Sequence, residues 1–308
     1  MKGLNVGFLQ ARFVNPNFFF NIYNTWGNIN NSYSIAPYTR DFWNSTHTNP
    51  PMSPESAEVY ALRLGNMFAE KNQRLNAEAQ YNYSFQKAGL FLVAGLTYQK
   101  EKPNSYGYSL VDKDQRIYIT QTGAVLQIEK SLPWDMRFIG AARFDNHSNL
   151  GYFFSPKFAL TKQIGESNFR VTWARAYSMP SIFYQYSNNS GIIFGNGAGV
   201  RYIPNGSRYS ETASVRSTVG LLAEEINTWE IGYKATFFKK LYIDINYYNG
   251  LNKNFLSPPQ PVDGRALDVG GIPVKPAIPG VVINDTLRTA SFSTFFNYGN
   301  VKAYGLDV

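Results

Sequence analysis

The chain holds 308 residues, of which 44% are hydrophobic, 16% aromatic and only 16% charged, against about 25% charged in ordinary soluble domains. Zero cysteines exclude a disulfide framework and thiolate metal sites, and with only two histidines, His47 and His147, no metal or other cofactor is expected. A net charge of +8 is scattered along the sequence, which argues against a nucleic-acid face; no apolar run approaches the roughly 20 residues of a membrane-spanning helix, so a large β-sandwich or a membrane β-barrel remains.

In chain order, the patterning predicts eleven strands, at about 4–13, 17–25, 73–84, 89–99, 117–131, 136–146, 152–164, 168–179, 227–238, 241–252 and 292–307. The signal is alternation with a period of two, because successive strand side chains point to opposite faces. Over 74–85 one face reads Leu75, Ala77, Ala79, Tyr81, Tyr83 and Phe85, the other Arg74, Asn76, Glu78, Gln80, Asn82 and Ser84. The pattern recurs in Trp229, Ile231 and Tyr233 against Glu230, Gly232 and Lys234, and in Ile243, Ile245 and Tyr247 against Asp244, Asn246 and Tyr248.

The connections alternate in length. Short turns fall at Asn15-Pro16-Asn17, Gln86-Lys87-Ala88, Pro133-Trp134-Asp135, Gly165-Glu166-Ser167 and Lys239-Lys240, and the largest loops span 26–72, 180–226 and 253–291. Turns on one rim, loops on the other and strands of ten residues or more are the plan of an outer-membrane barrel. Aromatics sit where two lipid-interface girdles would lie: Phe18, Phe85, Trp134, Phe169, Phe237 and Phe238 near the turns, and Tyr98, Phe144, Phe153, Tyr177 and Tyr247 near the loops. The loops are rich in Pro, Gly, Asn and Ser, which oppose regular structure; a short helix over 60–68, capped from Ser53, is the exception expected. The first residues, Met1-Lys2-Gly3-Leu4-Asn5-Val6, lack the apolar core of a signal peptide, so a processed chain or a fragment is expected.

Three stretches carry a resemblance. Phe169 to Ser181, reading FRVTWARAYSMPS, resembles the upward strand of TonB-dependent receptors that ends in an Arg-Ala-aromatic-x-x-Pro-Ser signature. Leu222 to Lys234, reading LAEEINTWEIGYK, is similar to the family's next strand, and Asn297 to Val308, reading NYGNVKAYGLDV, to a later one in which Asp307 stands for the usual Glu. With the opening hairpin around Val14-Asn15-Pro16-Asn17, these are closest in kind to the Bacteroidota type. The resemblance implies an all-β fold: an antiparallel transmembrane β-barrel fragment holding about 11 of the family's 22 strands, with short periplasmic turns and long extracellular loops. It implies that 1–308 is a partial barrel domain without the plug. It further implies a Gram-negative outer-membrane location and active uptake of a large nutrient, such as a glycan, peptide or metal chelate. Its implied partners are the TonB-ExbB-ExbD complex, acting through the plug, a surface lipoprotein and outer-membrane lipid. A passive porin or an adhesin is the alternative.

Candidate substrate contacts are the loop residues Phe183, Tyr184, Gln185, Tyr186 and Asn188, where aromatic faces meet amide donors, and the strand residues Arg143 and Asp145 on a wet face. Lumen charges more commonly pair with one another. The run Asp145-Asn146-His147-Ser148 holds the residue types of a hydrolytic triad, but neighbours on a strand point apart and cannot converge as nucleophile and base, so no catalytic residue and no enzyme activity are expected.

Overall fold

The structure, a computed structural model, describes residues 3–62, 66–189, 192–204, 215–274 and 291–308. Eleven strands form one antiparallel sheet: β1 (Asn5–Val14), β2 (Phe18–Tyr33), β3 (Met67–Phe85), β4 (Leu90–Lys102), β5 (Ile119–Leu132), β6 (Met136–His147), β7 (Gly151–Ile164), β8 (Ser167–Ser178), β13 (Glu224–Phe237), β14 (Leu241–Lys253) and β18 (Val301–Asp307). Each pairs with its sequence neighbour in the sheet, with β1 and β18 at the two edges. Strands account for 64% of the described residues and helices for 11%, which rules out strands alternating with helices in βαβ units.

The turns carry the backbone that tight hairpins need. Trp134 and Asp135 both have positive φ, as do Phe238 and Lys239, and paired left-handed residues match the twist of the strands they join. The β3–β4 turn ends on Gly89 at φ +56°, where a side chain would be strained.

Several elements differ from the sequence reading. β2 and β3 run far beyond 17–25 and 73–84, pairing with each other through Tyr33 and Met67; the added stretch is rich in Asn and lacks clean alternation, so no pattern announced it. The helix expected over 60–68 lies earlier, as α2 (Pro54–Ala61), with the Ser53 hydroxyl accepting the Ser56 backbone N–H; residues 63–65 lie outside the described residues. A second helix in the same loop, α1 (Ile35–Thr46), was not anticipated. The last strand is short, because 291–294 leaves the large sheet and joins another. That second sheet, also unexpected, has the order β12–β11–β15–β17–β10–β9. Its strands are β9 (Asn188–Asn189), β10 (Ile193–Phe194), β11 (Val200–Pro204), β12 (Arg216–Ser217), β15 (Gln260–Val269) and β17 (Ser291–Thr294), with β16 (Ile272–Pro273) paired to β15. Of the loop over 253–291, residues 275–290 lie outside the described residues.

Burial is inverted relative to a soluble protein. The buried apolar clusters sit in the loop layer, around Phe194, Val200, Val269 and Phe292, and around Leu110, Ile117 and Ile119. The membrane strands instead leave Leu96 64%, Trp229 57% and Ile231 58% exposed. Contiguous apolar exposure of this kind needs lipid against it. Cross-strand register puts Leu75, Ala77, Tyr81, Leu96, Leu126 and Phe144 on the same face. Replacing Ile231 with Arg on this apolar face is expected to lower stability in a bilayer by about 2–4 kcal/mol, whereas Gln80→Arg on the opposite face costs less than about 1 kcal/mol. Denaturant unfolding from vesicles, followed by tryptophan fluorescence, measures both; equal losses would refute the assignment of faces.

Candidate functional site

Register places Arg74, Glu78, Thr97, Glu101, Gly123, Arg143 and Asp145 on one face across β3 to β6, and Arg170, Glu230, Lys234, Asp244 and Asn246 on that same face across β8 to β14. Charges there meet partners. Arg74 pairs with Glu101, Lys234 lies 2.7 Å from Asp244, Arg170 lies 3.7 Å from Glu230, and Arg143 grips Asp145 through both Nε and Nη2 at 2.7 Å. Two-point contact between a guanidinium and a carboxylate fixes orientation as well as charge.

Two glycines make the longer links possible. Arg143 on β6 reaches across β5 to donate to the Thr97 hydroxyl on β4 at 3.2 Å. It crosses at Gly123, where a Cβ would meet Arg143 Nη2 at 2.7 Å, Thr97 Oγ1 at 2.6 Å and Asp145 Oδ1 at 2.5 Å. Arg170 on β8 likewise crosses β13 at Gly232 to donate to Asn246 Oδ1 on β14 at 3.1 Å. Each guanidinium therefore clamps three strands. The sequence reading passed over Thr97, Gly123, Arg170 and Asn246; the legible sign is a glycine on the wet face of a strand, one position removed from the apolar alternation.

The loop layer is built around a short helix, α3 (Ile182–Tyr186), after β8. Its residues divide sharply. Gln185 is 1% exposed, donating to the Pro180 carbonyl at 2.7 Å and accepting from Asn149 at 2.9 Å. Tyr186 accepts from Asn149 at 2.8 Å and packs against both buried clusters; burial pushes its phenol above the ordinary value, with the Asn149 bond opposing. These two side chains are committed to holding the loop. Phe183 is 45% exposed and Tyr184 half-buried, and both set ring edges against Phe295. Asn188 is half-buried, with its side-chain oxygen unpartnered among the described residues. The structure thus brings Phe183 through Asn188 together at one rim, while Arg143 and Asp145 stand apart in their own cluster.

Asn196, which no motif singled out, pins this layer. Fully buried, its amide donates to the carbonyls of Val219 and Phe295 and its oxygen accepts from the Thr218 hydroxyl. Asp112 plays a similar part, accepting from Ser105 Oγ and Gly107 N at 2.7 Å. At the first long loop Tyr33, Tyr38, Glu58, Leu62 and Met67 line a cleft of about 330 Å³. In the triad-like run, Ser148 Oγ accepts from Thr120 N and donates to Asn149, while His147 Nδ1 accepts from Asn149 N; serine and histidine serve separate backbone contacts.

A model of the family described as TonB dependent receptor-like, beta-barrel matches residues 3–308. No curated protein matches the sequence. The siderophore receptor PirA from Pseudomonas aeruginosa superposes with a TM-score of 0.54 at 14% identity, covering 98% of this chain and 52% of that one. A ferric enterobactin receptor (PfeA) variant from Pseudomonas aeruginosa, in complex with enterobactin, gives 0.58 at 15% identity, with 98% and 40% covered. A double mutant of the Serratia marcescens hemophore receptor HasR, in complex with its hemophore HasA and heme, gives 0.53 at 10%, with 98% and 44% covered. The chain therefore spans about half, or less, of the length of these structures, and the likeness is one of fold.

Two substitutions test the geometry. Gly123→Val forces the Arg143 side chain off Thr97 and is expected to destabilise the strand region by about 1–3 kcal/mol, with Gly27→Val, where an added Cβ meets nothing within 4 Å, as the control; unfolding from vesicles checks it. Asn196→Ala strips three groups of their buried partner, each worth about 1–3 kcal/mol unmet. Hydrogen exchange is expected to quicken over 194–203 and 291–296 while β3 to β6 stay protected.

Proposed function

The chain belongs to the TonB-dependent receptor-like β-barrel family of the Gram-negative outer membrane, and from that premise we propose that it is part of an active importer of a large nutrient, a metal chelate before a glycan or peptide. The family is one of transporters and receptors, and no bond-breaking step is assigned to this chain. The observation that carries the reading is the placement of the two functional layers. An ordered loop layer with exposed rings stands on the long-loop rim, and a face of paired charges lies below it. Siderophore and heme-carrier receptors among the structural relatives favour the chelate.

In this reading Phe183, Tyr184 and Asn188 meet the ligand, Gln185 and Tyr186 hold the loop that presents them, and Arg143 with Asp145 lines the path beneath. Residues 1–308 form part of the barrel of a longer receptor, whose plug lies outside them. Further strands continue the sheet at β1 and β18, since an unmet backbone group in hydrocarbon costs several kcal/mol. TonB-ExbB-ExbD drives transport through that plug, a surface lipoprotein seats on the loops, and the Bacteroidota type rests on the sequence motifs.

Uptake of a panel of ferric chelates by cells carrying the complete receptor, with and without TonB, tests this. Uptake is expected to vanish without TonB, and joint Phe183→Ala and Tyr184→Ala substitution to weaken chelate binding by about tenfold. Uptake that persists without TonB would sink the proposal in favour of a passive porin.

A further inference from the structure

The two faces of the sheet differ in the sign of their charge as well as in polarity. Following the register through all eleven strands, every strand carboxylate falls on the polar face except Glu225. Glu225 is itself occupied, accepting from Lys253, Asn227 and Tyr177. Lysines, by contrast, do stand on the apolar face. Lys130 and Lys162, near the short turns, are spent on the turn carbonyls of Ala88 and Trp134. Lys71, Lys100 and Lys102 stand at the opposite end, on β3 and β4.

These three form a patch. Lys102 lies opposite Gln73 and Lys100 opposite Leu75, and Lys71 is the next apolar-face residue along β3 from Gln73. Lys102 is the near neighbour of both, about 7–8 Å from each at Cβ by sheet geometry, while Lys100 and Lys71 stand about 14 Å apart at the two ends of the patch. None makes a salt bridge among the described residues; Lys100 alone has a side-chain contact, its ammonium standing 5.8 Å from the centre of the Tyr118 ring. The adjacent carboxylate, Glu101, points to the other face and is held there by Arg74. Like charges gathered without a counter-charge repel, so the arrangement calls for an anion from outside the chain.

Height identifies the anion. From Leu90 at the short turn to Lys100, the strand climbs about 25 Å along the barrel axis, at roughly 3.3 Å per residue and a tilt of about 40°. That is the height of the apolar band, about 25 Å. Tyr98, one position below Lys100 on the same face, takes the interfacial place where tyrosine is favoured. The lysines thus stand outside the barrel wall, in the headgroup layer of the leaflet that meets the long loops.

We propose that Lys71, Lys100 and Lys102 form a binding site for the phosphate groups of an outer-leaflet lipid, which anchors the β3–β4 wall at a fixed depth. A lipid whose headgroup bears two phosphates spans the patch and neutralises it, with its acyl chains lying down the Leu96, Ala94 and Leu92 face.

The test uses the receptor extracted from outer membranes in detergent, with diphosphorylated lipid A and its dephosphorylated form as probes and native mass spectrometry as the readout. Wild type is expected to retain the diphosphorylated lipid and release the dephosphorylated one. Joint Lys71→Gln, Lys100→Gln and Lys102→Gln substitution is expected to weaken retention by about tenfold or more, while joint Lys130→Gln and Lys162→Gln substitution leaves it unchanged. Heat-modifiable migration verifies that both variants are folded. Equal retention by the triple variant, equal retention of both lipids, or complete displacement by inorganic phosphate at matched concentration would each overturn the proposal. Chelate uptake does not enter the readout, so the result stands apart from the transport reading.

Discussion

A backbone amide or carbonyl inside hydrocarbon finds no water to bond, and that one constraint organises everything below the loops. Each strand of the large sheet meets its ladder partners on its neighbours, residue against residue, from β1 to β18. Because the ladder fixes register, it also fixes faces: a slip of one residue would turn the whole apolar set inward. Trp229 and Ile231 therefore stay exposed to lipid while Glu230 and Lys234 stay on the polar side, and neither set has freedom to trade places.

The polar face shows how charge is kept in such a wall. Isolated ions would be costly near lipid, so they sit in pairs, and the pairs are arranged across strands. Arg143 and Arg170 each span three strands, over Gly123 and Gly232 respectively. A side chain at either glycine would occupy the space the guanidinium needs. These cross-links couple strand positions that backbone bonds alone would join only in sequence, and they leave the lumen-side surface close to electrical balance, in contrast to the cationic end of the apolar face.

Above the membrane the ordinary rules return. Water is present on both sides, so the loops fold as a small soluble domain does, around Val111, Phe194, Val200, Val269 and Phe292. Buried amides at Gln185 and Asn196 bind backbone carbonyls that short, irregular strands leave without ladder partners. The rings of Phe183 and Tyr184 are held at the rim because their neighbours on α3, Gln185 and Tyr186, are fastened beneath.

The amino-acid sequence by itself determined the sheet: eleven strands, their tight turns, and which side chains face lipid, with the exception of Phe153, expected in the loop-side girdle but set opposite Asp145 on the polar face by the register. It could do so because a strand that meets lipid on one face and water on the other must alternate residue by residue, and such a pattern is visible without any partner in view. The extended ends of β2 and β3 escaped, since both faces are wet there and alternation lapses. Only the tertiary structure decided the rest. The parallel pairing of β10 with β17 joins residues a hundred positions apart, and Asn196 earns its role only when Val219 and Phe295 arrive beside it. Gln185 and Tyr186 read as ligand contacts from their chemical types, yet burial against Asn149 turned them into scaffold. The lysine patch needed the register between β3 and β4, because Lys71 and Lys102 are distant in sequence and share a surface only through the ladder that lays one strand against the other.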